Sequence, residues 1–289
     1  MELIPFGVDR IDDLVGLLLR CAPHEDLTPD EVLTACHEQP GIVMGTPDGE
    51  SVLAVGVGRE IDGSLTASIR LLAVGPNAQR SGNGKALLAH AEQWAWERGA
   101  ARIVIGGSLP FSLWPGIAEE SPADFLAQAC GYAVETEWDS YALPVTYRAE
   151  PPAGVVIRRA VHDSDVTQVH LASAAKWSRQ SDEIARALEH GTCHVAVAQI
   201  DGEEEVVGLG CHSVTRAGWA GPLVIDQRWT RQGVGSALLG QMCRDLMIAE
   251  FTELTIPETS DVRMQSFCAA VEAKPTIRYR RMVKTITHG

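Results

Sequence analysis

At 289 residues the chain exceeds one ordinary domain of roughly 150 residues and fits two. Its 45% hydrophobic and 21% charged residues are the balance of a globular protein and exclude a disordered or fibrous chain. A formal net charge of −14 argues against nucleic acid as a partner, because phosphate-binding surfaces are basic.

The acidity is uneven: residues 1–150 hold 9 Lys and Arg against 22 Asp and Glu, and residues 151–289 hold 15 against 16. Either this is a solvated surface that aids solubility, or it lines a cleft that attracts a cationic small molecule such as an amine. The opening MELIPFGVDR lacks the basic and long apolar segments of a secretory signal. Apolar runs such as 14–19 are too short to cross a bilayer, so a cytoplasmic protein with no membrane partner is expected. Seven scattered cysteines without a CxxC pair read as reduced, mostly buried thiols.

In chain order, a helix opens around Asp12 and Asp13, and strands follow at 41–44, 52–57 and 65–74. Next comes the glycine loop QRSGNGKALL at 79–88, which runs straight into a long helix. A strand at 102–105, a shorter helix and a strand at 133–143 complete the first half. Two prolines and a glycine in RAEPPAG, 148–154, mark a linker, giving domains 1–148 and 153–289. The second half repeats the order, with strands at 155–158, 194–200, 206–213, 220–225, 252–256 and 276–286 and the loop TRQGVGSALL at 230–239. At an offset of 151 residues, Gly82 and Gly84 fall on Gly233 and Gly235. The fold class is therefore mixed α/β, written twice. Each post-loop helix carries a core stripe: Leu87, Leu88, Ala91, Trp94 and Ala95 in the first, and Leu238, Leu239, Met242, Asp245 and Leu246 in the second, with Asp245 the one polar miss.

A strand that passes through glycines into a helix leaves the first helical N–H groups without partners, all pointing one way. With about half a positive charge from the macrodipole, that junction is an anion site, and the glycines let a phosphate approach the main chain. Arg80, Lys85 and Arg231 add side-chain charge. One such loop could equally be a plain turn, and two copies in matching contexts favour the phosphate. A Walker loop would need a hydroxyl where Ala86 stands, and a dinucleotide fingerprint would need a third glycine where Leu87 and Leu238 stand, so ATP and NAD are poor candidates.

Val74, Pro76, Gln79, Gly82 and Gly84 satisfy the pattern V-x-P-x-x-[QR]-x-x-G-x-[GA], and the first loop thereby resembles the acetyl-coenzyme A loop of the GNAT superfamily of N-acetyltransferases. The second copy departs from it at Gln227 and Thr230 and keeps both glycines. The resemblance covers nearly the whole chain as a tandem of two GNAT-like domains. It implies that acetyl-CoA is the co-substrate and that its pantetheine arm lies along Leu72, Ala73 and Val74, or Val224 and Ile225. Its pyrophosphate would lie on the loop formed by Gln79, Arg80, Ser81, Gly82, Asn83, Gly84 and Lys85, or by Arg231, Gln232, Gly233, Val234, Gly235 and Ser236. The acetyl group would pass directly from the thioester to an amine.

Direct transfer needs an orienting group for the amine and an acid for the departing thiolate. The strand position that holds a base glutamate in histone-type members is Ser68 in the first copy and Trp219 in the second. The place of the family's tyrosine acid is Ala127 in the first copy and Cys268 in the second. Cys268 is either a proton donor or a packed thiol. Glu258 either orients an amine or is a solvated loop carboxylate. FSLWPGIAEE, 111–120, suits a lid over a cationic, partly apolar substrate or a structural loop over the sheet edge. His190 and His194 lie four apart but are separated by Gly191 and Thr192, His212 has no evident partner, and no metal is expected.

The expected activity is acetylation of a small, cationic molecule's amine, with the first copy preferred as the coenzyme site. A non-catalytic acyl-CoA-binding module and a protein or peptide N-acetyltransferase stay open, as do the acyl length and the oligomeric state.

Overall fold

A computed structural model of the chain describes residues 1–38, 40–59, 63–106 and 112–286. The chain forms two compact units, residues 1–138 with 277–289, and residues 139–276. The division does not follow the proline linker at 148–154. It falls inside two long strands, so the last strand of the chain supplies residues to the first unit.

The first unit contains β1 (Ile4–Pro5), α1 (Ile11–Cys21), α2 (Pro29–Cys36), β2 (Gly41–Gly45), β3 (Ser51–Arg59) and β4 (Leu65–Val74). It continues with α3 (Asn83–Glu97), β5 (Arg102–Ile105), β6 (Ile117–Ala118), α4 (Pro122–Ala129) and the start of β7 (Ala133–Pro144). The second contains β8 (Val155–Arg159), α5 (Asp163–Lys176), α6 (Ser181–Glu189), β9 (Cys193–Ile200), β10 (Glu203–His212) and β11 (Ala220–Ile225). It ends with α7 (Val234–Ile248), β12 (Glu253–Ile256), α8 (Val262–Ala270) and the first residues of β13 (Lys274–Thr285).

In the first unit the strand order is β1-β2-β3-β4-β5-β13, antiparallel except for the parallel pair β4 and β5, with β6 also on β13. Apolar residues cover both faces of this sheet. On one, Leu87, Leu88, Ala91, Trp94 and Ala95 of α3 and Ala127 of α4 pack on Ala67 and Ile69. On the other, Leu14, Leu17, Val32 and Ala35 of α1 and α2 pack on Leu71 and Ala73. Ile69 and Leu71 would share a face in a regular strand. They do not, because the register jumps from Ala54↔Leu71 to Val55↔Ile69 and leaves Arg70 as the extra residue of a bulge.

In the second unit the antiparallel order is β11-β10-β9-β8, and β12 pairs with residues 141–144 of β7. Here α7 buries Val234, Ala237, Leu238, Leu239, Met242, Cys243 and Leu246. All seven cysteines are free, and Cys36, Cys193, Cys211, Cys243 and Cys268 are buried. No helix among the described residues is long and apolar enough to cross a membrane.

Candidate active site

The two glycine loops have one backbone conformation. Arg80 and Arg231 take φ of 59° and 61°, and Gly82 and Gly233, at the helix N-caps, take φ of 90° and 89°. A short 3-10 turn precedes each loop, at Pro76–Ala78 and Gln227–Trp229, and both helices run for 15 residues. The second glycine is closely packed in the first loop, and in the second an added Cβ would make ordinary contact. A Cβ on Gly84 would come within 2.8 Å of Leu126 Cδ2, and one on Gly235 within 3.4 Å of the Phe267 ring.

While α2, α4 and α8 cap their first turns with the side chains of Thr28, Ser121 and Asp261, α3 and α7, like α1, α5 and α6, have no side-chain cap. Their first helical bonds are Ala86 N–H to Gly82 O and Ala237 N–H to Gly233 O, both 3.0 Å, so the three preceding helical amides of each have no partner within the helix. The loop side chains turn back on the 3-10 turns instead. Ser81 Oγ and Asn83 Nδ2 donate to Ala78 O at 2.5 and 3.3 Å, and Gln232 Nε2 donates to Arg228 O at 2.7 Å. Gln79 Nε2 donates to Val74 O at 3.0 Å, fixing the strand end to the loop. Arg80, Lys85 and Arg231 are exposed and make no ion pair among the described residues. These features leave a cationic rim around open amides, which is the arrangement a diphosphate requires.

Beside the first loop the sheet opens. β4 pairs with β5 only from Thr66↔Arg102 to Ile69↔Ile105, whereas β3 follows the other edge of β4 to Val74. The five residues 70–74 thus present a strand edge that β5 does not cover. In the second unit the same divergence begins at an isolated parallel bridge, Trp219↔Thr255, beyond which β11 and β12 part.

A cavity of about 370 Å³ lies at the opening in the first unit. Leu72, Leu88 and Leu126 line it, together with Ser68, Ser112 and Trp114 among others. Among the described residues three ionisable side chains reach it: Glu25, Arg70 and Tyr279. Glu25 accepts a 3.1 Å hydrogen bond from Trp114 Nε1. Tyr279, buried in β13, arrives from the far end of the sequence, next to Arg280, whose guanidinium meets Glu137 and the fully buried Asp124, both at 2.7 Å.

Segment 111–120, read as a lid or a structural loop, divides among several places. Phe111 lies outside the described residues, Trp114 walls the cavity, Leu113 is buried in the α1–α2 core, and 117–118 form β6. Neither suggested catalytic residue is in this cavity. Cys268 is fully buried on the core face of α8, where desolvation pushes its thiol up to about 11, so it is a packed thiol with no surface on the cleft. Glu258 is exposed and accepts from Ser260 Oγ at 3.0 Å. Near it, burial first, then the charges of Glu258 and Asp182, raise the Glu183 carboxyl of α6 to about 7.

His190 ends α6 and His194 lies in β9, so the four-residue spacing does not place them on one helix face. His194 instead meets His212. β9 and β10 put them on diagonal positions of one face, with ring centroids 6.0 Å apart. Both reach Asp245 Oδ2, at 2.9 and 3.2 Å, and Arg159 joins the same oxygen. The ligand atoms of the two histidines and Asp245 all lie within 4.8 Å of one another, close enough for a metal ion. Against a cation stands Arg159, a fixed positive charge on the shared oxygen. Burial alone would raise the Asp245 carboxyl, but hydrogen bonds from His194, His212 and Arg159 hold it well below the usual carboxylate range. The single polar miss in the α7 stripe is thus a satisfied, half-buried hub.

Residues 11–109 match the acetyltransferase (GNAT) family model. No curated protein matches the chain in sequence. Among solved structures, the chain is similar to a tandem GNAT protein from the clavulanic acid biosynthesis pathway, at 16% identity, TM-score 0.73, covering 100% of this chain and 99% of that one. It is also similar to a GCN5-related N-acetyltransferase from Sphaerobacter thermophilus, at 19% identity, TM-score 0.68, covering 100% and 96%. A third similarity is to the GCN5-related glucosamine N-acetyltransferase region of a fungal multi-domain β-N-acetylglucosaminidase, at 15% identity and TM-score 0.75. It covers 98% of this chain, which spans 38% of that protein's length.

Proposed function

We propose that this chain, a tandem member of the GNAT acetyltransferase family, transfers an acetyl group from acetyl-CoA to the amine of a small molecule bound in the first unit. The observation that carries the reading is the continuity of three features in that unit: open loop amides, an uncovered strand edge at 70–74, and the cavity at the point where β4 and β5 part. Diphosphate on the amides of Gly82 to Lys85 would direct the pantetheine arm along the edge and the thioester into the cavity.

Two of the three ionisable cavity groups then have chemistry to supply. The Glu25 carboxylate attracts the ammonium form of the substrate, which loses one proton to solvent before it can attack; Glu25 then accepts the second proton as the C–N bond forms and returns it to the Tyr279 oxygen. The Tyr279 hydroxyl is a proton source for the thiolate as the C–S bond breaks. The amine nitrogen attacks the thioester carbon, the C–N bond forms, and coenzyme A leaves as the thiol. Juxtaposing two bound reactants supplies a large part of the acceleration. A volume of about 370 Å³ corresponds to roughly a dozen waters at ~30 Å³ each, which favours a small molecule over a protein segment. The second unit, with the same φ values at its loop as the first but an altered pattern at Gln227 and Thr230, would hold a second coenzyme, without an assigned acceptor.

Thiol release from acetyl-CoA with a panel of small amines, followed by mass spectrometry of the product, tests the reading. Expected are a product heavier by one acetyl group and a kcat lowered at least ~10-fold in Tyr279→Phe and Glu25→Gln. Coenzyme binding with no thiol release for any amine would contradict it.

A further inference from the structure

Arg70 is the group in the cavity that the transfer chemistry leaves without a task. It is the bulged residue of β4, half-buried, and its guanidinium lies over Gly56 of β3. Only a glycine permits this, since a Cβ at position 56 would come within 2.4 Å of Nη2. Nη2 donates to the carbonyl of Pro40 at 3.0 Å, and Nε, shut off from solvent, has no partner. Among the described residues no carboxylate pairs with it. Other part-buried cations of this unit have one, among them Arg102 with Glu135, Arg280 with Asp124, Arg281 with Glu135 and Lys284 with Glu92. A partly desolvated guanidinium with one neutral acceptor is costly unless an anion completes it. Burial pulls the Arg70 pKa below its usual value, in keeping with that deficit.

The missing anion does not belong to the coenzyme's diphosphate. Arg70 stands four residues before Val74, roughly 13 Å up the strand from the loop at about 3.3 Å per residue. It also lies beside Cys36 of α2, on the face away from α3. A fork of planar donors fits a carboxylate in particular, which it can hold through two parallel bonds. Among the described residues the cavity lining offers one acidic and one basic side chain, Glu25 and Arg70, so a zwitterion balances it and a doubly charged anion does not. We propose that Arg70 is the carboxylate-binding residue of the acceptor site, and that the substrates of this protein are amines that carry a carboxylate, amino-acid-like in chemistry. This rests on the reading of the cavity as the amine site, and it replaces a simple cation by a molecule of both charges.

The test uses the full chain saturated with coenzyme A and matched probes that differ only in the carboxylate: leucine and leucinamide, phenylalanine and phenylalaninamide, 4-aminobutyrate and 4-aminobutanamide. Calorimetry is expected to find at least one acid bound ~10-fold or more tighter than its amide, the scale of a charge-assisted hydrogen bond. Arg70→Gln should bring the two within about 3-fold. Equal affinities for acid and amide, no binding of any acid, or an acid preference that survives Arg70→Gln would each overturn the assignment. Should Arg70→Gln unfold, Arg70→Lys carries the comparison: a point charge in place of the fork weakens the acid several-fold and leaves the amide unmoved, and an equal loss for both would overturn it. Thiol release is followed in parallel with acetyl-CoA. Its absence while the acid preference holds would remove the catalytic reading and leave the carboxylate site in place.

Discussion

Gly82 and Gly233 combine a left-handed backbone with open space, since a Cβ on either would meet no heavy atom within 4 Å. The two effects of a side chain there can therefore be separated. Gly82→Ala should cost about 1 kcal/mol of stability through backbone strain and leave coenzyme A binding within a few-fold. Gly82→Asp places a like charge against the diphosphate and should weaken binding in the first unit at least ~10-fold more than Gly82→Ala, less so at high salt. Equal affinities of the two variants by calorimetry would contradict the anion role. Glu183 supports a second prediction at this scale. Its folded pKa, about 7, lies above the unfolded value, so its contribution to stability is present below the unfolded pKa and is lost as pH rises through about 7. Glu183→Gln should melt with the parent protein near pH 4 and gain up to about 3 kcal/mol over it by pH 8. Parallel pH profiles would contradict it. The loop glycines are legible in sequence because glycine spacing is local and appears twice. Glu25, Arg70 and Tyr279 are not, because a cavity gathers them from a loop, a bulge and the last strand, and no spacing rule connects those positions.

Periodicity predicts elements wherever one face of a helix or strand meets a core. The strands at 65–74, 102–105 and 220–225 form as expected, and the five buried residues of α3 are the five of the predicted stripe. The bulge that turns Leu71 to the opposite face from Ile69 leaves no mark in the residue pattern, which is why the environment of Arg70 is found only in the structure. Asp245 carries the complementary lesson, since a polar residue in an apolar stripe signals a buried partner without naming it. His194 and His212 become its partners through strand register. Asp245→Asn should cost about 3 kcal/mol at neutral pH, the scale of a broken buried charge network. The Asp245 pKa is depressed in the fold, so its contribution is present above the unfolded carboxylate value and is lost as pH falls. The deficit should therefore shrink below about pH 4. Chemical denaturation at pH 7 and pH 3.5 checks it, and a variant as stable as the parent at pH 7 would contradict the hub.

Over the whole chain, the sequence repeat and the compact units divide the molecule differently. The repeat breaks at the prolines of 148–154, whereas the first unit takes residues 277–289 as its own, including the Met282↔Ile105 to Thr285↔Arg102 ladder and the Arg280 partner of Asp124. Non-local pairing of this kind has no sequence signature, because β13 reads as an ordinary last strand of the second copy. A fragment of residues 1–148 would expose an unpaired β5 edge and leave the buried Asp124 without its guanidinium. It should fail to give a cooperative melt, and a fragment as stable as the intact chain would contradict the assignment of the last strand. The central claim remains that main-chain amides at two strand-to-helix junctions hold the diphosphate of a coenzyme. Calorimetric titration of coenzyme A into the parent protein, Gly82→Asp, Gly233→Asp and the double variant tests this most directly. The account predicts saturable binding to the parent, a loss in Gly82→Asp that accounts for the first site, and no heat of binding in the double variant. A double variant that binds coenzyme A as the parent does, or a folded parent that gives no heat and no thermal shift, would contradict it.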